Sequence, residues 1–265
     1  MKTTSRWSIL FLFSLVLFLS MLLGAPQCAA GVRWTPDGVG IRTAAANGAG
    51  SPQIVSDGAG GAVITWEDGR RGINDIYAQR VDASGTPQWT VDGVGIRTAA
   101  ANTAGSPQLV PDGFGGAIVT WHDYRSGSKY DIYARRVDAS GTSLWTSDGV
   151  GVRTAAANSA EFPRITPDGS GGAIITWQDY RSGKWDIYAQ RVNASGTPLW
   201  TADGVGIRTA AAGSTDYPQI TSDGSGGAII TWQDYRSGKW DIYAQRVNAS
   251  GTPQWTADGV GIRTA

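Results

Sequence analysis

Residues 34–45 read WTPDGVGIRTAA, and nearly the same motif ends the sequence as WTADGVGIRTA at 255–265. Three further copies begin at Trp89, Trp145 and Trp200, so the repeated motif returns about every 55 residues, a step typical of propellers, solenoids and other tandem arrays. A second tryptophan series keeps the same step, at Trp66, Trp121, Trp177 and Trp232. The chain is therefore a tandem array.

Each repeat contains four short runs with the composition of β-strands. In the first repeat these runs lie at 52–56 (PQIVS), 62–66 (AVITW), 75–81 (DIYAQRV) and 88–98. Asp57 and Gly58 separate the first two runs, and Asp-Gly between apolar runs predicts a tight hairpin turn. Because AVITW is apolar on both faces, it predicts a strand that is covered on both sides.

These runs predict an all-β fold, a β-propeller-type array of four four-stranded antiparallel blades. A β-solenoid and a string of small sandwiches are the alternatives. Solenoid coils are usually shorter than this repeat, and a sandwich of this size has little room for a core of its own. The blades form either a closed ring or an open array that associates with another chain.

The predicted repeat domain covers 31–265, with units of about 34–88, 89–144, 145–199 and 200–254 and an extra strand at 255–265. The array thus starts and ends with a fourth-strand motif, which makes seventeen strands, one more than four blades need. The extra motif could complete the ring by pairing with another copy of the chain, in a homo-oligomer, since unpaired strand edges invite pairing with another chain.

Residues 1–30 differ from the array and have the three-part pattern of a secretory signal peptide. Lys2 and Arg6 precede an apolar run, and Ala29 and Ala30 provide small residues for cleavage. We expect removal of 1–30, which takes away the single cysteine, Cys28, and leaves a secreted, periplasmic or cell-surface protein with no membrane segment. A retained membrane anchor is the alternative.

The charge balance bears on the kind of partner. The chain has 22 basic and 22 acidic residues and a formal net charge of zero. Nucleic acids and anionic membrane surfaces attract proteins with a basic excess. The composition therefore argues against nucleic acid or an anionic membrane surface as the main partner; a glycan or a protein surface is the partner that the loops described below predict.

The stretch YAQRVDASGTPQW, which ends at Trp89, resembles the tryptophan-docking motif of quinoprotein-type propellers. Ala78, Asp82 and Gly85 stand at similar places, and the same segment resembles a stretched Asp-box of sialidase-type propellers. The whole array also resembles repeats of large exported bacterial proteins. The resemblance implies a structural tryptophan whose ring stacks over the backbone of the adjacent blade. It implies that role for Trp34, Trp89, Trp145, Trp200 and Trp255.

The catalytic parts of these families have no counterpart in the sequence. Quinoprotein dehydrogenases often use a vicinal cysteine pair, and sialidases need a unique arginine cluster with a Tyr/Glu pair. From Trp177 and Trp232 onward the third and fourth units differ only at Leu199 and Gln254, whereas a catalytic site needs different residues in different blades. We therefore predict a non-enzymatic, lectin-like binding or scaffolding protein. A sialidase-like or other hydrolase propeller and a purely structural surface array are the alternatives.

The loop after the second strand of each unit is the predicted binding site. It places aromatic rings beside charged groups, an arrangement that suits sugars and protein interfaces. The alternative is that the rings cover the neighbouring blade. The predicted ligand-binding residues are Tyr124, Arg125 and Tyr130 in the second unit, Tyr180, Arg181 and Trp185 in the third, and Tyr235, Arg236 and Trp240 in the fourth.

Other polar residues have structural interpretations. We predict no resident cofactor; Asp179 and Asp186 offer two oxygens for calcium, but two carboxylates fall short of the ligands that calcium needs. His122, the single histidine, has no Ser or Cys partner and is replaced by Gln in later units. The recurring arginines should pair with blade carboxylates, and the Asp-Gly and Asn-Ala-Ser segments should form turns. These arginines are Arg97, Arg153 and Arg208.

Overall fold

The computed structural model describes residues 34–43, 47–98, 101–154, 157–210 and 212–263. The expected signal peptide, 1–30, lies outside these ranges. Within them the chain forms sixteen β-strands and no helix. None of the described segments is therefore a helix with the length and apolar character needed to span a bilayer.

The strands form four antiparallel sheets, each with its strands in sequence order. Sheet 1 contains β1 (Ala49–Ser56), β2 (Ala62–Asp68), β3 (Asp75–Val81) and β4 (Val94–Arg97). Sheet 2 contains β5 (Ala104–Pro111), β6 (Ala117–Asp123), β7 (Asp131–Val137) and β8 (Val150–Arg153). Sheet 3 contains β9 (Ala160–Pro167), β10 (Ala173–Asp179), β11 (Asp186–Val192) and β12 (Val205–Arg208). Sheet 4 contains β13 (Thr215–Ser222), β14 (Ala228–Asp234), β15 (Asp241–Val247) and β16 (Val260–Arg263). The four sheets confirm the predicted four four-stranded blades.

The turn between the first two strands of a sheet depends on one carboxylate. Asp57 Oδ1 accepts hydrogen bonds from the backbone N–H groups of Ala59 and Gly61, both at 2.8 Å, and its Oδ2 pairs with Arg80 at 2.9 Å. Gly60 has a φ of 87°, a conformation that suits glycine. The same turn recurs at Asp112, Asp168 and Asp223. The predicted turn role of Asp-Gly is confirmed.

The third and fourth strands are joined by a turn in which Asp and Asn are interchangeable. Asp82 Oδ1 accepts the N–H groups of Ser84 at 2.8 Å and Thr86 at 3.0 Å. Asn193 accepts the corresponding N–H groups of Ser195 and Thr197 in sheet 3. An amide oxygen serves as well as a carboxylate here, as predicted for the Asn-Ala-Ser segments.

The core lies between consecutive sheets. Three clusters of buried residues join sheet 1 to sheet 2, sheet 2 to sheet 3 and sheet 3 to sheet 4. Trp121, Trp177 and Trp232 are almost completely buried in these clusters. The Nε1 of Trp177 donates to Asp179 Oδ2 at 2.8 Å, which satisfies the polar end of the buried indole.

The repeated motif fastens each sheet to the next through its tryptophan. The ring of Trp145, from the motif of sheet 2, lies over Gly196 in sheet 3, and its Nε1 donates to the carbonyl of Ala194 at 3.0 Å. A Cβ on Gly196 would stand 2.8 Å from the ring, so only glycine fits there. Trp34, Trp89 and Trp200 dock in the same way, on Gly85, Gly141 and Gly251.

The prediction that Trp255 docks in the same way is wrong. Its side chain is 39% exposed, and no hydrogen bond from its indole joins it to another described residue. The physical reason is that the motif of each sheet docks on the sheet that follows, and no sheet follows sheet 4 in the described chain.

A buried arginine in the motif provides the second fastening. Arg153 in β8 is completely buried; its guanidinium bonds Asp131 of its own sheet at 3.0 Å and Asp179 of sheet 3 at 3.1 Å. It also donates to the carbonyls of Ala157 and Asn158. Arg97 and Arg208 occupy equivalent positions, so the predicted pairing with carboxylates is confirmed and extends across two sheets.

The first copy of the motif differs from the prediction that it forms a strand. Within 34–43 there is no strand: the other copies of the motif pair with the third strand of their own sheet, and no sheet precedes sheet 1 in the described chain. It docks on sheet 1 instead: Trp34 Nε1 donates to the carbonyl of Ala83 at 3.3 Å, and Arg42 pairs with Asp68 at 3.2 Å. Sixteen described strands therefore stand where seventeen were expected.

Candidate functional site

The loops that follow β6, β10 and β14 bring together the aromatic residues that the sequence singled out. The rings of Tyr180 and Trp185 have centroids 5.0 Å apart and planes inclined at 60°. Tyr235 and Trp240 repeat this pair at 5.2 Å and 58° in sheet 4. In sheet 2 the pair is Tyr124 with Tyr130, at 4.9 Å. These loops lie at the opposite end of the strands from the turns on which the tryptophans dock.

The three arginines predicted beside these rings have protein partners. Arg181 donates to Asp179 at 2.6 Å and to the carbonyl of Asp203 at 2.7 Å, and its guanidinium lies 3.8 Å from the ring centre of Tyr188. Arg125 and Arg236 make the same set of contacts. The arginines therefore support the loop from within the sheet, and the rings are the accessible part of the predicted site.

A cleft of about 420 Å³ lies between the loops of sheet 2 and sheet 3. The Tyr180–Trp185 pair forms one wall of it. The other lining residues are Ser128, Lys129, Asn158, Ser159 and Glu161, which offer an ammonium, an amide, hydroxyls and a carboxylate. We call this space the 2–3 cleft. Its combination of exposed rings and several kinds of hydrogen-bonding group suits a polar ligand with apolar faces.

Glu161 is a cleft residue that the sequence reasoning left without a role. It is the second residue of β9 and lies opposite Gln178 of β10. Burial raises the pKa of its carboxyl, and a hydrogen bond with Ser159 opposes that rise only in part. The equivalent residues in sheets 1 and 2 are Gly50 and Gly105. The equivalent residue in sheet 4 is Asp216. The first strands of the four sheets therefore differ at this position, although the loops after their second strands are similar.

The residues after these carboxylates are strained aromatics. Phe162 and Tyr217 both have a φ of 52°, and the equivalent Ser51 and Ser106 have a φ of 50°. The conformation therefore belongs to the register shift that recurs between the first two strands of every sheet, and it is strained for a bulky residue. Both side chains are exposed. They add apolar surface beside the loops of sheets 3 and 4.

His122 lies at the same edge of sheet 2. Its ring centre is 4.6 Å from that of Tyr130 and 5.8 Å from that of Phe162. Burial lowers the pKa of His122 to about 4, although Glu67 and Asp123 act in the opposite direction. The imidazole is therefore neutral at physiological pH and packs as an aromatic ring, in line with the structural interpretation from the sequence.

The two carboxylates considered for calcium are engaged with protein cations. Asp179 accepts hydrogen bonds from Arg153, Arg181 and Trp177. Asp186 pairs with Arg208 and Lys184. Across the described ranges, no group of three or more His, Cys, Asp or Glu side chains is arranged to hold a metal ion.

Comparisons with known proteins bear on the fold. No protein-family model and no curated protein sequence matches the chain. Among solved structures, a protein of unknown function from Dyadobacter fermentans DSM 18053 is similar over 78% of this chain and 67% of its own, with a TM-score of 0.52 and 11% identity.

Two further similar structures have lower TM-scores. A thermostable family-43 glycoside hydrolase matches at 0.47 with 8% identity, covering 81% of this chain and 78% of its own. An endo-arabinase from Bacteroides thetaiotaomicron VPI-5482 matches at 0.41 with 20% identity, covering 78% and 75%. The four four-stranded antiparallel sheets of this chain are by themselves those of a β-propeller-type array.

Proposed function

We propose that this protein binds carbohydrate in the 2–3 cleft. The observation that carries the proposal is the Tyr180–Trp185 pair, which stands beside a carboxylate, an ammonium and an amide in one open cleft. A sugar ring has apolar C–H faces and a belt of hydroxyls. Inclined aromatic rings contact the faces, and polar groups at the edge bond the hydroxyls and fix orientation.

The polar groups of the cleft complement that platform. Lys129 pairs with Asp131 at 2.9 Å and donates to the carbonyl of Thr154 at 3.4 Å, which leaves one N–H of its ammonium for a hydroxyl. A Glu161 carboxyl with a raised pKa is a donor when protonated and an acceptor when ionised. The cleft therefore offers both hydrogen-bond donors and acceptors, and each sugar hydroxyl can donate and accept.

Sheet 4 adds a second, simpler surface of the same kind. Tyr235, Trp240 and Tyr217 are all exposed there. Two related surfaces on one rigid body would strengthen attachment to a repetitive polymer beyond the affinity of either surface. A polysaccharide or a glycan-coated surface is therefore the ligand we favour over a free monosaccharide.

Glycoside hydrolysis is the second candidate, and Glu161 is the observation that favours it. A carboxyl whose pKa is raised by burial is suited to act as a general acid. Such hydrolysis uses two carboxyl groups, and Asp216 of the next sheet is the nearest equivalent in the repeat. Asp216 accepts a hydrogen bond from Gln178 at 2.8 Å.

A glycan array and pull-downs on insoluble arabinan, xylan and cellulose test the binding proposal. We expect Y180A/W185A to reduce affinity at least about tenfold, because each lost ring contact costs roughly 1–2 kcal/mol. F114A is the control for loss of an exposed aromatic ring, since Phe114 is 74% exposed and lies in the turn at the other end of β6. Failure of the wild-type protein to bind any of these ligands, or equal binding by both variants, would refute the proposal.

The same samples decide between binding and hydrolysis. New reducing ends that appear with the wild type and disappear with E161Q would establish the hydrolase candidate. Retention of the polymer without new reducing ends would support binding alone. In that case E161Q should weaken binding by a few fold, because it alters one hydrogen-bonding group and keeps its shape.

We also propose export with removal of 1–30. The charged start, the apolar run and the small residues before Gly31 support it. The intact mass of protein recovered from outside the producing cell should correspond to a chain that starts at Gly31. A mass that includes Met1 would favour the retained anchor.

A further inference from the structure

Each junction between sheets uses the same three contacts. Between sheets 3 and 4, the ring of Trp200 lies over Gly251, Arg208 pairs with Asp234 at 2.9 Å, and the N–H of Thr209 donates to Asp258 at 2.7 Å. The copies of the motif at 89–98 and 145–154 dock in the same way on sheets 2 and 3. A sheet therefore has a donor face, formed by its own motif, and an acceptor face.

The donor face of sheet 4 has no acceptor within the described chain. Ile262 in β16 is 63% exposed, whereas the equivalent Ile207 in sheet 3 is 2% exposed. Arg263 is also exposed, and within the described ranges it forms no ion pair. Trp255, Ile262 and Arg263 are thus the exposed counterparts of the tryptophan, the β-branched residue and the arginine that are buried at every junction between sheets. The β-branched residue at the junctions is Ile96, Val152 or Ile207.

The acceptor face of sheet 1 is occupied by the first copy of the motif, at 34–43. Trp34 lies over Gly85, Arg42 pairs with Asp68, and the N–H of Thr43 donates to Asp92 at 2.6 Å. The attachment is looser than at the junctions: Trp34 is 40% exposed, whereas Trp145 is 7% exposed. Residues 34–43 hold this place through their docking contacts, with no strand pairing to support them.

The first and last copies of the motif are equivalent ligands for one acceptor face. Residues 34–43 and 255–264 differ only where Pro36 stands in place of Ala257. The last copy is already ordered, because β16 pairs with β15. Docking it therefore costs less conformational entropy than docking a segment without a strand partner.

We propose that 34–43 is a displaceable cap, and that the donor face of sheet 4 docks on the acceptor face of sheet 1 in a second copy of this chain. Trp255 would then lie over Gly85 of that copy, and Arg263 would pair with its Asp68. The occupant is a second copy because the contact continues an interface that the chain already repeats between its own sheets. Such head-to-tail contacts generate closed rings of two or more copies, or open filaments.

Sedimentation velocity over a range of protein concentrations tests this proposal with four proteins. W34A/R42A removes the anchors of the cap, and W34A/R42A/W255A also removes the central ring of the donor face. We expect the first to form oligomers at concentrations where the wild type is largely monomeric. The triple variant should return to monomer, and W255A alone should show less association than the wild type.

Two outcomes would overturn the proposal. One is a W34A/R42A protein that stays monomeric at every concentration, including a compact monomer in which sheet 4 has closed onto sheet 1 of the same chain. The other is oligomers that persist in the triple variant. Circular dichroism checks that each variant is folded. If W34A/R42A is unfolded, R42A alone is the milder test, because it keeps Trp34 in place, and it should associate at least severalfold more strongly than the wild type.

Discussion

The junction between sheets 2 and 3 and the free face of sheet 4 are made from nearly the same residues in different surroundings. At the junction, Trp145 and Arg153 are buried and the arginine joins carboxylates of two sheets. At the free face, Trp255 and Arg263 are exposed. The tryptophan and the arginine of a motif are therefore buried only where a following sheet covers them. The next sheet supplies the glycine, the aspartate and the apolar cover, and the energetic value of each motif residue depends on that sheet.

The largest difference should appear when the arginine is removed. R153A leaves Asp131 and Asp179 buried without their shared cation, and breaking a buried ion pair in this way costs about 3–5 kcal/mol of unfolding free energy. R263A removes the equivalent exposed side chain and should change stability by less than about 0.5 kcal/mol. Urea denaturation at neutral pH measures both. Equal losses would show that burial at the junction is not what gives the arginine its value.

A smaller effect should follow from adding one methyl group at the docking glycine. In G196A the new Cβ would stand 2.8 Å from the ring of Trp145, at a φ of 86°. Strain and overpacking together should cost about 2–4 kcal/mol. Gly183 is the matched control: its φ is 85°, but no atom lies within 4 Å of a new Cβ. G183A should cost only the backbone strain of about 1–2 kcal/mol, and the difference between the two variants isolates the ring contact.

The smallest effect is a pH dependence of the unfolding free energy that only sheet 2 should contribute, through His122. Burial lowers the pKa of His122 to about 4 in the folded protein, below the ordinary value of about 6.5 for an unfolded chain. The unfolded chain therefore binds the proton first, and the unfolding free energy should fall by roughly 1–3 kcal/mol as pH decreases from 6.5 to 4. H122Q, which introduces the glutamine found in sheets 3 and 4, should lose this part of the pH dependence. Denaturation curves at several pH values measure the difference, and parallel profiles would contradict the assignment.

The sequence was sufficient to predict the features that repeat. Four strand-like runs, Asp-Gly turns and the spacing of the tryptophans led to the four sheets and to the docking of Trp89 and Trp200. Periodicity works here because each repeat meets the same neighbour. Periodicity failed for the strand expected at the first motif, which has no strand partner, and for the docking of Trp255, which has no following sheet in the described chain.

The candidate site was harder to predict, because it depends on departures from the repeat. Arg181 adjoins Tyr180 in the chain, yet its side chain points to Asp179 and Tyr188 inside the sheet. Glu161 and Phe162 received no role because the near-identity of the third and fourth units, from Trp177 and Trp232 onward, does not include their first strands. A comparison of first strands would have shown Gly-Ser in sheets 1 and 2 against Glu-Phe and Asp-Tyr in sheets 3 and 4.

The directional junction also determines how such a gene can change its length. Every junction joins a residue of one sheet to a residue of the next, as Arg97 with Asp123 and Arg153 with Asp179. Recombination that duplicates or deletes one whole repeat in frame leaves each remaining donor face opposite a matching acceptor face. The number of sheets is therefore a quantity that recombination can alter in single steps, whereas a partial repeat would leave a buried arginine or carboxylate without its partner.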